Sequence, residues 1–464
     1  MRKNDSLLSK LDWPLFISFM ILVFLGLATV YSVAFNEEHP SIFAFSEKYG
    51  KQIIWLGASF FIGLLIFLID ADYYSKIALP VYIGVLVLLV IVLFMPPING
   101  ARAWLGVGSL GVQPAEFAKI ATALLLSKYI SELVVKFQTI KTVLTACLIL
   151  FVPALLIALQ PDAGTLVVFS SFLFVMYREG LTFDPIILGV LNTIPGIKFK
   201  STWLGNHFIP VLFVFLFLCI ITLVLSNVQF HLLGFPNNTF QGSTGVVLTL
   251  GSITLLLLLF IRRISSKRDR SRMILVIALG FLITASISLF VDKAFSGLAK
   301  HQRNRIELVL GLKEDPDGGD YNRNRAMAAV GSGGALGKGY MGASVSSIES
   351  NHVPESETDF IFCPFAEEWG FLGSIILVAT YMFMLLRIIF IAERQRAPFN
   401  RIYAYCVAMI LFYHFAINIG MNIGFAPVIG IPLPFFSYGG SSILSFCIMV
   451  FILLKLDSQR IDVL

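Results

Sequence analysis

WPLFISFMILVFLGLATVYSVAF, residues 13–35, carries no charged side chain from end to end. About 20 mainly apolar residues are enough for a helix to cross the hydrocarbon of a bilayer, and only helices or closed barrels satisfy the backbone there. The stretch is too long for a barrel strand. Further runs lie at 52–69, 77–95, 143–159, 208–228, 245–261, 274–291, 371–390, 403–423 and 441–454, with weaker ones at 115–130 and 166–176. The chain of 464 residues is 57% hydrophobic before its 36 Gly are counted, where soluble domains reach about 45–50% with Gly included. Its 13% of charged residues is about half the usual share. The fold class read from these numbers is an all-α, polytopic membrane protein of about 12 transmembrane helices.

The first run follows Arg2, Lys3 and Lys10. It is too long for a signal-peptide core and has no small-residue cleavage site, so it reads as a retained first helix. Cys147, Cys219, Cys363, Cys406 and Cys447 show no paired spacing and indicate neither disulfides nor a metal cluster. The six His show no ligand spacing either. The net charge of +6 fits basic cytoplasmic loops. Nucleic acid is excluded, because no stretch interleaves basic and aromatic residues. The densest basic clusters, Arg262, Arg263, Lys267, Arg268, Arg270 and Arg272, then Arg387, Arg394, Arg396 and Arg401, are expected on the cytoplasmic side. Residues 226–244 have no Lys or Arg and belong outside. Both termini then fall inside, and the long stretch 292–359 falls outside, where a loop of that length is usually functional or disordered.

Polar segments interrupt the apolar pattern. Asn99-Gly100-Ala101-Arg102-Ala103-Trp104-Leu105 leads to Gln113-Pro114-Ala115-Glu116-Phe117-Ala118-Lys119. On a helix starting at Pro114, Glu116 and Lys119 share a face and can pair. An ionisable pair beside hydrocarbon reads as functional by default, the plainer alternative being a snorkelling interface pair. Asp162, in Gln160-Pro161-Asp162-Ala163-Gly164-Thr165, is either a site carboxylate or the cap of the next helix. The long loop holds His301-Gln302-Arg303-Asn304-Arg305-Ile306, Lys313-Glu314-Asp315-Pro316-Asp317-Gly318-Gly319-Asp320-Tyr321, Gly331-Ser332-Gly333-Gly334-Ala335-Leu336-Gly337-Lys338-Gly339 and Pro354-Glu355-Ser356-Glu357-Thr358-Asp359-Phe360-Ile361-Phe362. Its carboxylates suit a general base and its cations a phosphate. The Gly-rich piece is not a Walker motif, since Ser332 and Gly339 stand where Gly and Ser or Thr are required. Its amides remain able to cradle an anion. Asn418, Met421, Asn422 and Gly424 precede Pro427-Val428-Ile429-Gly430-Ile431-Pro432-Leu433-Pro434-Phe435-Phe436-Ser437-Tyr438-Gly439-Gly440-Ser441-Ser442. That irregular backbone belongs where it lines protein or a wet cavity, or forms a structural re-entrant turn.

In this order the segments resemble the SEDS family, the polytopic glycosyltransferases of bacterial cell-wall synthesis that include RodA, FtsW and SpoVE. The likeness rests on 100–104, 113–119, 160–165, 302–306, 315–321, 331–339, 354–362, Glu367-Glu368-Trp369-Gly370 and 418–442, and it spans nearly the whole chain except 183–272. Each motif alone is weak, but the ordered set is specific. The resemblance implies a single membrane domain over 1–464 with an inserted helix pair and basic loop in 183–272, and a catalytic external loop at 292–359. It implies polymerisation of lipid II at the outer face of the bacterial cytoplasmic membrane, with the catalytic carboxylate at Asp315. Arg102, Trp104, Glu116, Lys119, Arg305, Tyr321, Lys338, Asp359 and Ser437 are the expected contacts to lipid II and the undecaprenyl-linked glycan. The implied partner is a class B penicillin-binding protein, which cross-links the new strand. The short tail after Leu454 leans to the RodA branch, and so to elongation and shape. Three positions depart from the pattern. Ala103 replaces a common Arg, Asp320 stands where Gly usually precedes the Tyr, and Glu357 replaces a frequent His. Asp320 matters most, because an extra carboxylate near Asp315 could raise its pKa or compete for its role, and either Asp320 or Asp317 could share that role.

The implied chemistry has Asp315 take the proton of the acceptor sugar 4-hydroxyl. That oxygen then attacks the anomeric carbon of the growing strand with inversion, and undecaprenyl pyrophosphate leaves. Arg102, Lys119, Arg305 and Lys338 are candidates to neutralise the pyrophosphate. A divalent cation, Mg or Mn, would help, although nothing in the sequence fixes one. The rival reading is a lipid II flippase or other transporter, which predicts inverted repeats and midplane substrate groups that the sequence does not show. A catalytically silent scaffold would tolerate loss of Asp315.

Overall fold

The computed structural model describes residues 10–36, 38–96, 102–106, 111–133, 138–192, 200–226, 230–232, 235–240, 242–264, 267–297, 303, 321–346 and 353–460. The chain divides into two compact units, Met1–Asn206 with Tyr321–Leu464, and His207–Asp320.

The larger unit opens with α1 (Trp13–Val33), α2 (Lys48–Leu68), α3 (Ala71–Val92), α4 (Pro114–Glu132) and α5 (Ile140–Ala158). It continues through α6 (Ala163–Phe169), α7 (Ser171–Arg178), α8 (Asp184–Leu191) and α9 (Trp203–Asn206). The smaller unit holds α10 (Phe208–Ser226), an antiparallel hairpin of β1 (Phe230–Leu232) and β2 (Phe235–Phe240), α11 (Gly242–Ile264) and α12 (Lys267–Ser296). Its three helices pack on one another. The larger unit resumes with α13 (Tyr321–Ser332), α14 (Phe362–Arg394), α15 (Pro398–Asn422) and α16 (Gly440–Ser458). Every apolar run read from the sequence has a helix, and the short helices α8, α9 and α13 and the hairpin are additions among the described residues.

Seven of the described helices are long and apolar enough to cross a membrane: α1, α2, α3, α5, α14, α15 and α16. They sort by depth in the bundle. The apolar window of α16 is 89% buried and that of α3 only 22%, so α16 is central and α3 shows most of its surface to lipid. Phe24 of α1, Leu64 of α2 and Phe371 of α14 are likewise exposed. α4 packs on α3, α5 and α15 and is buried nearly all round, its small Ala, Thr and Ser residues allowing close approach. That composition explains why its run is weak in hydropathy. The other weak run is broken at Ser170 into α6 and α7.

One end of this unit is closed by a charged clamp. Asp12 caps α1 through the Leu15 amide at 3.0 Å and receives Arg387 and Arg394 of α14 at 2.8 and 2.6 Å. Burial pushes the Asp12 carboxyl up, but the hydrogen bonds from Arg387, Leu15 and Arg394 outweigh it and hold it below its ordinary value. Asp457 of α16 accepts from Arg394 Nε and Gln395 at 3.0 and 2.8 Å. The start of α1 and the end of α16 therefore meet at the far end of α14.

Candidate active site

At the other end of α14 and α15 the backbone turns back into the bundle. Residues 423–439 form no helix, and their carbonyls reach side chains deep in the protein: Tyr381 OH donates to Pro434 O at 2.6 Å, and Asn418 Nδ2 donates to Ile431 O at 2.7 Å. Gly26 makes room for the segment from the α1 side, since a Cβ there would lie 2.5 Å from Phe436 Cα. The prolines remove N–H groups that would otherwise need partners at this depth. The segment holds a second turn, residues 355–360. Ser437 Oγ donates to Thr358 O at 2.6 Å, Tyr438 N donates to Glu357 O at 2.9 Å, and Asn418 and Asn422 both donate to Asp359 O, at 2.8 and 3.3 Å. The acidic turn is thus fixed by buried amides and a hydroxyl.

These elements enclose a cavity of about 490 Å³ within the larger unit. Its wall carries Lys48, Trp104, Gln113, Glu116, Asp162 and His414, and its rim the turn carboxylates Glu355, Glu357 and Asp359. Glu116 is bound by Lys119 Nζ at 2.9 and 3.0 Å and by Ser445 Oγ at 2.9 Å. Glu357 is paired with Lys48 of α2. Asp162 both caps α6, through Thr165 N at 3.0 Å, and takes Gln113 Nε2 at 2.8 Å, so its capping and lining readings hold together. Burial pushes the Asp359 carboxyl up to about 7, reinforced by the charge and hydrogen bond of Glu355 and by Asp162 and Glu357. A pocket of this kind offers fixed acceptors to sugar hydroxyls. Among the described residues no group of three metal-ligating side chains is set to hold an ion.

The family model described as "Cell cycle protein", covering FtsW, RodA and SpoVE, matches residues 12–205 and 239–461. The chain belongs to the FtsW/RodA/SpoVE family. Among its relatives, the peptidoglycan glycosyltransferase RodA of Treponema pallidum is 28% identical over 98% of this chain and 99% of its own. The peptidoglycan glycosyltransferase MrdB of Escherichia coli is 29% identical over 92% and 89%. Two solved structures share the fold: a chain of a peptidoglycan synthase complex, with TM-score 0.64 and 23% identity over 97% of this chain and 98% of that one, and the rod shape determining protein RodA of Thermus thermophilus, with TM-score 0.53 and 20% identity over 97% of each. The stretch 206–238, which the FtsW/RodA/SpoVE model leaves out, contains α10 and lies inside 183–272.

The structure gathers only part of the site expected from the FtsW/RodA/SpoVE motifs. Trp104, Glu116 and Asp359 line the cavity, Lys119 stands directly behind Glu116, and Ser437 sits under the acidic turn. Arg102 is exposed and donates to Leu93 O at 3.2 Å. Tyr321 begins α13, its ring covered by the Arg325 guanidinium 3.6 Å from the centroid. Lys338 donates to Glu367 at 2.5 Å and to Ser344 at 3.0 Å, so it is not brought to the cavity. Asp315, Arg305, Asp317 and Asp320 lie outside the described residues. The Gly-rich run is no anion cradle: the amides of Gly337, Lys338 and Gly339 donate to Gly333, Glu367 and Glu368 carbonyls at 2.9, 3.0 and 2.9 Å. Lys48 and His414 were absent from the expected site. The only signal for His414 was a polar residue inside an apolar helix, and for Lys48 there was none.

Proposed function

We propose that this protein is a peptidoglycan glycosyltransferase that polymerises lipid II into β-1,4 glycan strands for elongation and shape. The observation that carries the reading is the cavity: a polar chamber with fixed carboxylates, set into a lipid-facing helix bundle where family motifs from distant parts of the chain converge. A lipid-linked sugar needs both features, an apolar exterior that shares the bilayer with its polyprenyl chain and a wet pocket for the sugar. The relatives named RodA and MrdB support the same reaction class.

In this reading Asp315 accepts the proton of the acceptor 4-hydroxyl. The freed oxygen bonds to the anomeric carbon of the growing strand with inversion, and undecaprenyl pyrophosphate departs with the bonding pair. The part of Asp315 rests on its motif alone. The cavity faces outward in this reading, with both ends of the chain cytoplasmic. That placement is supported by the clamp, which joins the start of α1 to the end of α16 beside Arg387 and Arg394. A class B penicillin-binding protein would cross-link the product. Of the cations, Lys48 alone reaches the cavity wall among the described residues, which makes it the candidate for the pyrophosphate.

The test is to give purified protein lipid II with the partner's transpeptidase blocked and to resolve the products on a gel. Wild type is expected to make polymer and Asp315→Ala none. Equal polymer from both would remove Asp315 as the base and turn attention to Asp317 and Asp320.

A further inference from the structure

His414 is an imidazole inside the apolar helix α15, 1% exposed, and the glycosyltransferase reading gives it no part. Its ring bridges two elements. Nδ1 lies 3.2 Å from the Pro432 carbonyl of the re-entrant segment, and Nε2 lies 2.8 Å from Lys119 Nζ of α4. A carbonyl oxygen can only accept, so the ring proton belongs on Nδ1 and Nε2 offers its lone pair to the ammonium. Lys119 directs its remaining hydrogens to the two oxygens of Glu116, at 3.0 and 2.9 Å. An ammonium has three N–H donors, and here each has its own acceptor. The Phe446 ring packs against both groups, its centroid 4.9 Å from Lys119 Nζ and 4.8 Å from the imidazole centroid. The ammonium therefore has no spare hydrogen and no alternative orientation. Glu116, which it orients, lines the cavity, and so does His414 itself.

We infer that His414 is a positioning residue: as the neutral Nδ1–H imidazole it accepts a hydrogen bond from the third Lys119 N–H and fastens the α4 ion pair to the Pro432 carbonyl, so that Glu116 and the re-entrant segment present one fixed wall to the lipid-linked substrate. The opposite tautomer sets an N–H against an ammonium and leaves two N–H groups without acceptors, a costly arrangement in a buried site. Removing the imidazole strands a buried ammonium hydrogen and a carbonyl. Lys119 then turns toward other acceptors and carries Glu116 with it. The kinetic part of the inference rests on the glycosyltransferase reading, whereas the tautomer does not.

The experiment has two arms. In the first, the protein is labelled with ¹⁵N-histidine and the His414 signals are identified by their loss in His414→Gln. The expected result near pH 7 is a neutral ring protonated on Nδ1 whose Nε2 shift changes in Lys119→Met. An Nε2–H tautomer or an imidazolium overturns the inference, and so does indifference to Lys119→Met. In the second arm, lipid II polymerisation is compared in wild type, His414→Gln and His414→Leu. Gln supplies a carbonyl oxygen for Lys119 and an N–H for Pro432, so its rate should stay within about threefold of wild type, whereas Leu, which leaves both partners unmatched, should be roughly tenfold slower or worse. A folded His414→Gln that is as slow as His414→Leu, or a His414→Leu as fast as wild type, sinks the positioning role. If His414→Leu does not fold, the rate of His414→Gln still decides. Absence of polymer from wild type would instead count against the glycosyltransferase reading and leave the first arm to judge His414.

Discussion

Glu116 and Lys119 form an ion pair with almost no access to water, their side chains 4% and 0% exposed. The worth of such a pair lies in what happens when half of it goes: an uncompensated buried charge costs about 3–5 kcal/mol, whereas replacing both partners can be nearly neutral. Glu116→Gln and Lys119→Met are each expected to lower the unfolding free energy of the detergent-solubilised protein by about that amount, and the double variant by clearly less than the sum. Additive losses in the melting curves would show that the two charges are not coupled. Asp359 yields a different signature. Its folded-state pKa of about 7 stands above the ordinary 3.8, so its contribution to stability is complete below the lower value and disappears as pH rises through the upper one. Wild type should therefore lose stability relative to Asp359→Asn between pH 5 and pH 8. Parallel melting profiles for the two proteins across that range would contradict the shift. The ion pair was legible in the sequence because its members are three apart on one helix. Lys48 and His414 were not, because their partners lie 309 and 295 positions away and only folding brings them close.

At the scale of elements, the Gly-rich run shows how composition can be read correctly and its purpose missed. Its glycines serve a backbone pairing with the kink of α14, where Gly370 has φ +63° and ψ −163°. Phe371 N donates to Gly334 O at 2.9 Å and Leu372 N to Ala335 O at 3.2 Å, so two segments of backbone run in contact with no room between them. A Cβ on Gly337 would lie 2.1 Å from Glu368 O, and one on Gly370 would lie 2.3 Å from Gly337 N. Gly334 shares the positive φ, at +57°, but has nothing within 4 Å. Gly334→Ala should then cost only the backbone strain of about 1 kcal/mol, while Gly337→Ala and Gly370→Ala should each cost about 3 kcal/mol or more and reduce the yield of folded protein. Equal melting temperatures for the three variants would mean that φ alone, and not the contact, sets the requirement. The membrane helices themselves were legible because their length is dictated by the bilayer. α4 and the broken pair α6 and α7 gave weaker signals because helices surrounded by protein need small residues and interruptions more than they need hydropathy. The hairpin 230–240 follows no alternation that would have announced it.

For the whole molecule, the two ends of α14 and α15 differ in kind. α14 leaves the acidic turn at Phe362 and ends at Arg394 against Asp12 and Asp457, and α15 returns from Pro398 to Asn422, which holds that same turn. Helices of this length span the hydrocarbon, so the cavity rim and the basic clamp face opposite sides of the membrane. Positive charge is retained on the cytoplasmic side in short loops, and Arg394, Arg396 and Arg401 crowd the short connection between α14 and α15. By that rule the clamp is expected inside and the cavity outside, the side on which an external cell wall would have to be built. Glu355 at the rim and Arg396 in the connection are both exposed, which makes the arrangement measurable. In a background freed of the native cysteines, Glu355→Cys should react with a membrane-impermeant maleimide in intact cells, and Arg396→Cys only after the membrane is permeabilised. The reverse pattern would turn the protein over and put the cavity where lipid-linked precursors are made rather than where they are polymerised. A polymerase could not work in that orientation, and the transporter reading would take its place.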